Sequence, residues 1–336
     1  MLWRLLTRMT RVPEFDRKLY MLEWVANEQI ALSLSQLKIL IENNMNTLLS
    51  ADRNSGEVSA QDMNKLIDLD RYPIDRLNNK PGQLLVAQCR SDLEDSAAAI
   101  LPSFVRQSAI LKMAKEAESL VQIAHRYDGD RAPFYDVDDN ERSDDDSLQS
   151  RVRSARHPNR YCQILNYQIP NSSDLRAIYL WPPLTEFIRQ VLNVEHLFQS
   201  QCPHLALTMK VAYEGDTDGW HYDPNDGVIT LVLQTPDNGG EFEYAPDVRN
   251  QNDQNYAGVD RLYKSPDVEA IRPTLEPGTF TFFNGRYSMH RVRPVGLTRQ
   301  PRIVSIFSFD QRPDHFFRQS YIDKLRSFPQ GPPIAE

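Results

Sequence analysis

His221, Tyr222 and Asp223 place an imidazole and a carboxylate two residues apart, at the end of a segment that reads as a strand. In an extended chain the side chains of residues i and i+2 point to one face, so both groups can reach a single metal ion. A third donor must then come from a segment near in space and distant in sequence. His290 qualifies, 67 residues beyond Asp223 (290 minus 223) and just past a predicted strand ending at Phe283. Two imidazoles and one carboxylate on one face of an octahedron leave three positions open. That donor set suits iron(II), with the open positions taken by a chelating 2-oxo acid and dioxygen.

His-x-Asp alone arises by chance, so the weight falls on its surroundings. The far carboxylate of a 2-oxo diacid needs a cation deep in the fold. Arg302, 12 residues after His290 (302 minus 290), heads the apolar strand Arg302–Phe309. A guanidinium there can form a bidentate pair with that carboxylate. Arg291, Arg293 and Arg299 are its competitors, but none of them heads an apolar strand. Tyr213, eight residues before His221 (221 minus 213), either adds a hydroxyl to the same carboxylate or is a plain core aromatic. Of the other histidines, His196, His204 and His315 read as structural or exposed, and His125 and His157 carry no assignment.

These groups need a rigid frame, and the second half of the chain has the texture of one. Leu205–Tyr213, Gly227–Leu233, Glu241–Tyr244, Thr279–Phe283 and Arg302–Phe309 read as strands. Turn signals separate them at Asp237–Gly240, Pro277-Gly278 and Asn284-Gly285. The first half reads as helical. Ile100, Leu101, Phe104, Val105 and Ile110 supply one apolar face, and Ala114, Ala117, Leu120, Val121 and Ala124 the next. Leu184, Phe187, Ile188, Val191 and Leu192 predict a helix over Pro183–Leu197. Helices followed by many short strands suggest an α+β chain, a β-sandwich or barrel buttressed by helices.

The 336 residues allow one large domain with appended elements. Residues 1–65 read as a helical extension, basic and free of acidic residues as far as Glu14. That start is either an amphipathic first helix or a mitochondrial-type presequence, with the cytoplasm as the default location. Seven acidic residues between Asp136 and Ser150 form a solvated loop rather than a calcium site, because the glycine-centred spacing of a calcium loop is missing. A net charge of −8 argues against a nucleic-acid surface. No apolar run approaches the roughly 20 residues that span a bilayer. The three cysteines, Cys89, Cys162 and Cys202, lie far apart and give no disulfide framework.

With these residues in place, His221–Phe309 resembles the iron(II)/2-oxoglutarate dioxygenase superfamily. The resemblance is carried by HYD at 221–223, GGEFEY at 239–244, PGTFTFFNGR at 277–286, MHRVRPV at 289–295 and PRIVSIFSFD at 301–310. It implies a double-stranded β-helix, or jelly roll, over 201–310. It also implies a helical half over 66–200 and a C-terminal tail over 317–336. LIDLDRYPI at 66–74, HPNR at 157–160 and LRAIYLWPPLTEFIRQVL at 175–192 narrow the likeness to the radical halogenases and hydroxylases of free amino acids, over residues 66–316. Halogenases of that branch have glycine where this chain has Asp223, and the freed position holds chloride. Retention of Asp223 therefore implies hydroxylation.

The implied cofactor is Fe(2+), with 2-oxoglutarate and O2 as co-substrates and ascorbate as a stimulant. The implied partner is a small, amino-acid-like molecule. Arg90, which follows the YPI segment, is a candidate for the substrate carboxylate or a surface residue, and Trp220 beside the first histidine is a second candidate contact. Two other readings stand beside this one: a hydroxylase of peptidyl or carrier-bound residues, and a non-catalytic metal-binding jelly roll.

Overall fold

The computed structural model describes residues 60–134, 146–224, 228–313 and 317–333. The expectations for residues 1–59, for most of the acidic stretch and for His315 lie outside the described residues.

Along the chain run helices α1 (Ala60–Met63) and α2 (Lys80–Ser96), strand β1 (Ala98–Leu101), helix α3 (Gln107–Leu120), strand β2 (His125–Arg131), helix α4 (Leu148–Ser154) and strand β3 (His157–Ile164). Helices α5 (Asp174–Leu180) and α6 (Pro182–Val191) lead to strands β4 (Phe198–Gln199), β5 (Leu207–Ala212), β6 (Thr217–His221), β7 (Val228–Gln234) and β8 (Phe242–Ala245). Helices α7 (Tyr256–Lys264) and α8 (Pro266–Glu269) then precede β9 (Phe280–Phe283), β10 (Met289–Val292), β11 (Arg302–Phe307), β12 (Phe309–Asp310) and the last helix, α9 (Gln319–Ser327).

One antiparallel sheet carries ten of the strands, in the order β1-β9-β7-β11-β5-β3-β6-β10-β8, with β2 on the free side of β3. Strand β3 is the fold line. Its residues 162–164 pair with β5, while Asn159 and Arg160 pair with β6. The sheet curls over this joint, so that β1-β9-β7-β11-β5 faces β6-β10-β8 across one interior cavity lined from both layers. This is the jelly-roll frame, in an α+β chain.

Strand parity divides the larger layer. Thr230, Val232, Thr281, Val304 and Ile306 face the cavity. Their neighbours Ile229, Leu231, Phe280, Phe282, Ile303 and Phe307 are buried on the opposite face, in a core shared with the helices. Helix α6 shows why that face is covered: Leu184, Phe187, Ile188 and Val191 recur at helical spacing and are all buried. Each such side chain contributes about 1.5–3 kcal/mol on burial. The helix stops at Val191, short of the expected Leu197, and Asn193 just beyond adopts φ 53°.

The helical reading of 66–200 needs correction, because β1, β2 and β3 lie within it. Ile100 and Leu101, expected on a helix face, instead pair with Thr281 and Phe280. Left-handed residues Ala97 and Ser103 (φ 59° and 56°) bracket this strand. A short apolar run buried on both faces has no alternation to betray it. The C-terminal segment is integral too. Ile322 and Leu325 of α9 pack with Tyr127 and Tyr161, and the carbonyl of Pro329 accepts from the Arg126 amide. No helix among the described residues is long and apolar enough to cross a membrane.

Candidate metal centre

His221 ends β6 and His290 lies in β10, and the two are direct cross-strand partners. Their ring centroids are 4.0 Å apart. Asp223, just past the strand, completes a group whose donor atoms all lie within 4.8 Å of one another. Nε2 of His221 is 3.7 Å from Asp223 Oδ1, and Nε2 of His290 is 3.4 Å from Oδ2. Each Nδ1 is within hydrogen-bonding distance of a backbone carbonyl, Gly219 at 2.7 Å and Ser288 at 3.1 Å. Donation from Nδ1 to those carbonyls sets the tautomer and leaves each Nε2 lone pair for the centre.

Burial holds both imidazoles below their ordinary pKa, with the positive charge of Arg131 adding to the effect at His221 and the Asp223 carboxylate opposing it at His290. Neutral imidazole is the ligating form. Oδ2 of Asp223 is buried without a hydrogen-bond donor. Such an oxygen is costly unless a cation meets it. The three residues therefore fit a divalent ion.

A bulge shapes the neighbourhood. His290 pairs with His221, but Val292 pairs with Asp218, so two steps on β10 match three on β6. Gly219 sits in this bulge, where an added Cβ would lie 2.5 Å from Cβ of His157 and 2.7 Å from the Pro158 carbonyl oxygen. Only glycine fits. The extra residue turns Asp218 toward the cavity together with His221. There Asp218 bonds Lys210 at 2.5 Å and Arg131 at 2.8 Å. Burial opposes its ionisation, but the Lys210 ammonium and the Arg131 guanidinium carry its pKa well below the usual carboxylate range.

Gly285 supports the third donor. Its carbonyl accepts from the Asp223 amide at 2.9 Å, and a Cβ at this position would stand 1.9 Å from Asp223 Oδ2. Gly285→Ala is therefore expected to push the carboxylate out of place and weaken Co(II) binding by about 10–100-fold, the usual scale for disturbing a ligand's support. Isothermal titration of the metal-free protein checks this. Unchanged affinity would mean that Asp223 is not held as described.

Arg302 enters the same cavity from β11, opposite Ala212 of β5. Burial draws its pKa down to about 10 against the pull of Asp218, so it stays charged at neutral pH. Among the described residues no hydrogen bond or ion pair engages its guanidinium. Its three competitors are occupied elsewhere. Arg291 pairs with buried Glu243 and stacks on Trp220, Arg293 reaches Glu243 and Asp267, and Arg299 pairs with Asp237 at the surface.

Three other candidates do not meet at this cavity. Lys210 and Ala212 face inward, so Tyr213, one residue on, turns to the opposite side and packs against the helix-covered core. Burial raises its hydroxyl pKa to about 12. Trp220 is buried on the far face of β6 among Phe134, Tyr222 and Met289. Arg90 donates twice to the Gln190 carbonyl, at 2.9 and 2.6 Å, near the end of α6. It satisfies a helix C-terminus.

The cavity also holds residues that the sequence did not single out: Arg160, Tyr161, Lys210 and Asp218. The Arg160 guanidinium likewise has no hydrogen-bond or ion-pair partner among the described residues, although its backbone pairs with β2 and β6. Its only sequence signal was its place in the HPNR segment.

The family model described as HalD, Halogenase D, matches residues 137–321, more than half of the chain and all of the residues from His221 to Arg302. No curated protein matches the sequence significantly. Among solved structures, an oxidoreductase of the 2OG-Fe(II) oxygenase family from Burkholderia pseudomallei is similar at 13% identity, covering 68% of this chain and 92% of that chain, with a TM-score of 0.42. AviO1 from Streptomyces viridochromogenes is similar at 14% identity, covering 73% and 97%, with a TM-score of 0.45. A prolyl-4-hydroxylase from Pseudomonas putida is similar at 14% identity, covering 68% and 100%, with a TM-score of 0.40.

Proposed function

The chain belongs to the Halogenase D family, and from that premise we propose that it is an iron(II)- and 2-oxoglutarate-dependent dioxygenase. It hydroxylates an unactivated C–H bond of a free amino acid or related small metabolite, releasing succinate and CO2. The observation that carries this reading is the meeting of His221, Asp223 and His290 in one cavity with the unpartnered Arg302. The family's description names halogenation, but this chain keeps a carboxylate among its three donors. With Asp223 as a third protein donor, a bound ion would have fewer positions left for a halide beside its co-substrates, which favours hydroxylation.

His221 and His290, through Nε2, and Asp223, through a carboxylate oxygen, would hold the ion. When bound, iron supplies the coupling of dioxygen reduction to oxidative decarboxylation of the 2-oxo acid, which provides the driving force to oxidise a strong C–H bond. The chain's own task is positioning. Arg302 anchors the distal carboxylate of 2-oxoglutarate through charge-assisted bonds, from a half-buried position where desolvation already lowers its pKa. Lys210 and Arg131 spend their charge on Asp218, which keeps the floor of the cavity rigid. Phe242, Phe283, Val292 and Ile306 exclude water. Arg160 offers the second free guanidinium, suited to a substrate carboxylate.

The test is succinate formation by purified protein with iron(II), ascorbate and 2-oxoglutarate, against a panel of free amino acids. The expected result is substrate-stimulated succinate and a product heavier by one oxygen. Stimulation by peptides or carrier-bound groups alone would move the substrate class. No succinate from iron-loaded protein would leave a metal-binding jelly roll without this activity.

A further inference from the structure

The three metal donors share two supports. The turn at residues 284–288 serves two of them: the Gly285 carbonyl holds the Asp223 amide at 2.9 Å, and the Ser288 carbonyl lies 3.1 Å from His290 Nδ1. Tyr222 is the second support, because it sits between His221 and Asp223 and its placement sets the direction of both. Its amide donates to the Pro133 carbonyl at 3.0 Å, its ring is 1% exposed and its hydroxyl has no hydrogen-bond partner among the described residues, so packing is what fixes the ring.

One side chain touches both supports. Arg249, in the segment joining β8 to α7, places its guanidinium 3.8 Å from the centroid of the Tyr222 ring. Its Nε donates to the Arg286 carbonyl at 2.7 Å, and its backbone amide donates to the Tyr287 carbonyl at 3.3 Å. Nη1 donates to Gln254 Oε1 at 3.1 Å, which holds the guanidinium plane in register. Two further bonds fasten the same segment to the same turn, from the Asp247 amide to Ser288 Oγ and from Asn284 Nδ2 to Asp247 Oδ1, each 3.0 Å.

We propose that Arg249 is a positioning residue for the metal centre, stapling the 284–288 turn to Tyr222 so that His221, Asp223 and His290 keep one spacing. It acts through those supports, since none of its contacts above is to a metal donor. The role needs arginine: a planar guanidinium stacks on a ring while donating in its own plane, and an ammonium cannot do both. The inference rests on the metal-centre reading above and adds to it the part that sets the geometry of that centre.

The experiment compares the full-length parent with R249A, R249K and Y222L by titration with Co(II), alongside melting of the metal-free proteins. R249A is expected to weaken Co(II) binding about 10–100-fold, the range for losing a ligand's outer support, while the metal-free protein still melts cooperatively near the parent. R249K is expected to recover only part of the loss. R249A combined with Y222L is expected to bind no worse than the weaker single variant, because both break one link. Co(II) affinity of R249A within twofold of the parent overturns the inference and leaves the metal centre standing. So does full recovery by lysine, or a metal-free R249A that has lost cooperative melting. A parent that binds no Co(II) overturns both.

Discussion

Asp223→Ala is expected to abolish substrate hydroxylation and to weaken metal binding at least about 100-fold, beyond the range seen when only a ligand's support is lost. Asp223 is the one anionic donor in the group, and among the described residues no other carboxylate joins the cluster. Its two oxygens sit 3.7 and 3.4 Å from the two Nε2 atoms, so no imidazole shift replaces it. The same change removes a buried oxygen that lacks a donor, so the metal-free variant should melt no lower than the parent. Activity and stability thus separate. Metal titration, product mass and thermal melting read all three. Retained hydroxylation would overturn the assignment of the centre.

The second large effect belongs to Arg302. Arg302→Gln is expected to raise the KM for 2-oxoglutarate about 100-fold or more, because a hydrogen bond to a charged group contributes about 1.5–3 kcal/mol and a bidentate pair makes two. Metal binding should stay close to the parent, since the guanidinium is not a donor to the ion. The metal-free variant should be as stable as the parent or more so, because a half-buried cation with no hydrogen-bond or ion-pair partner among the described residues is a cost that glutamine relieves. Uncoupled succinate formation at rising 2-oxoglutarate concentration measures the first expectation. An unchanged KM would reassign the co-substrate carboxylate, with Arg160 and Lys210 the cations next in line along the same cavity.

Part of this site was legible because it depends on local periodicity alone. His221 and Asp223 share a face by the two-residue repeat of an extended chain, and that required no knowledge of partners. The β-rich second half and helix α6 followed from apolar spacing in the same way, as did the apolar strand that begins at Arg302.

Other parts depended on which strand lies beside which. Strand β5 is buried on both faces, so nothing in its sequence says whether Tyr213 or its neighbour Ala212 points inward; the pairing of Ala212 with Arg302 decides it. Arg90 and Trp220 are polar or aromatic groups near suggestive segments, and only packing reveals that one closes a helix end and the other fills a separate core. Arg160 comes from β3, 61 residues before His221 (221 minus 160), and reaches the cavity because β3 is the strand over which the sheet folds.

The sequence by itself determined the kinds of donor, their local spacing and the strand-rich frame, since each is a property of a few consecutive residues. Only the tertiary structure decided the register that sets His290 against His221, the bulge at Gly219 that turns Asp218 inward, and the fit of Gly285 against Asp223. Register and close approach are relations between segments distant along the chain, and periodicity within one segment carries no information about them.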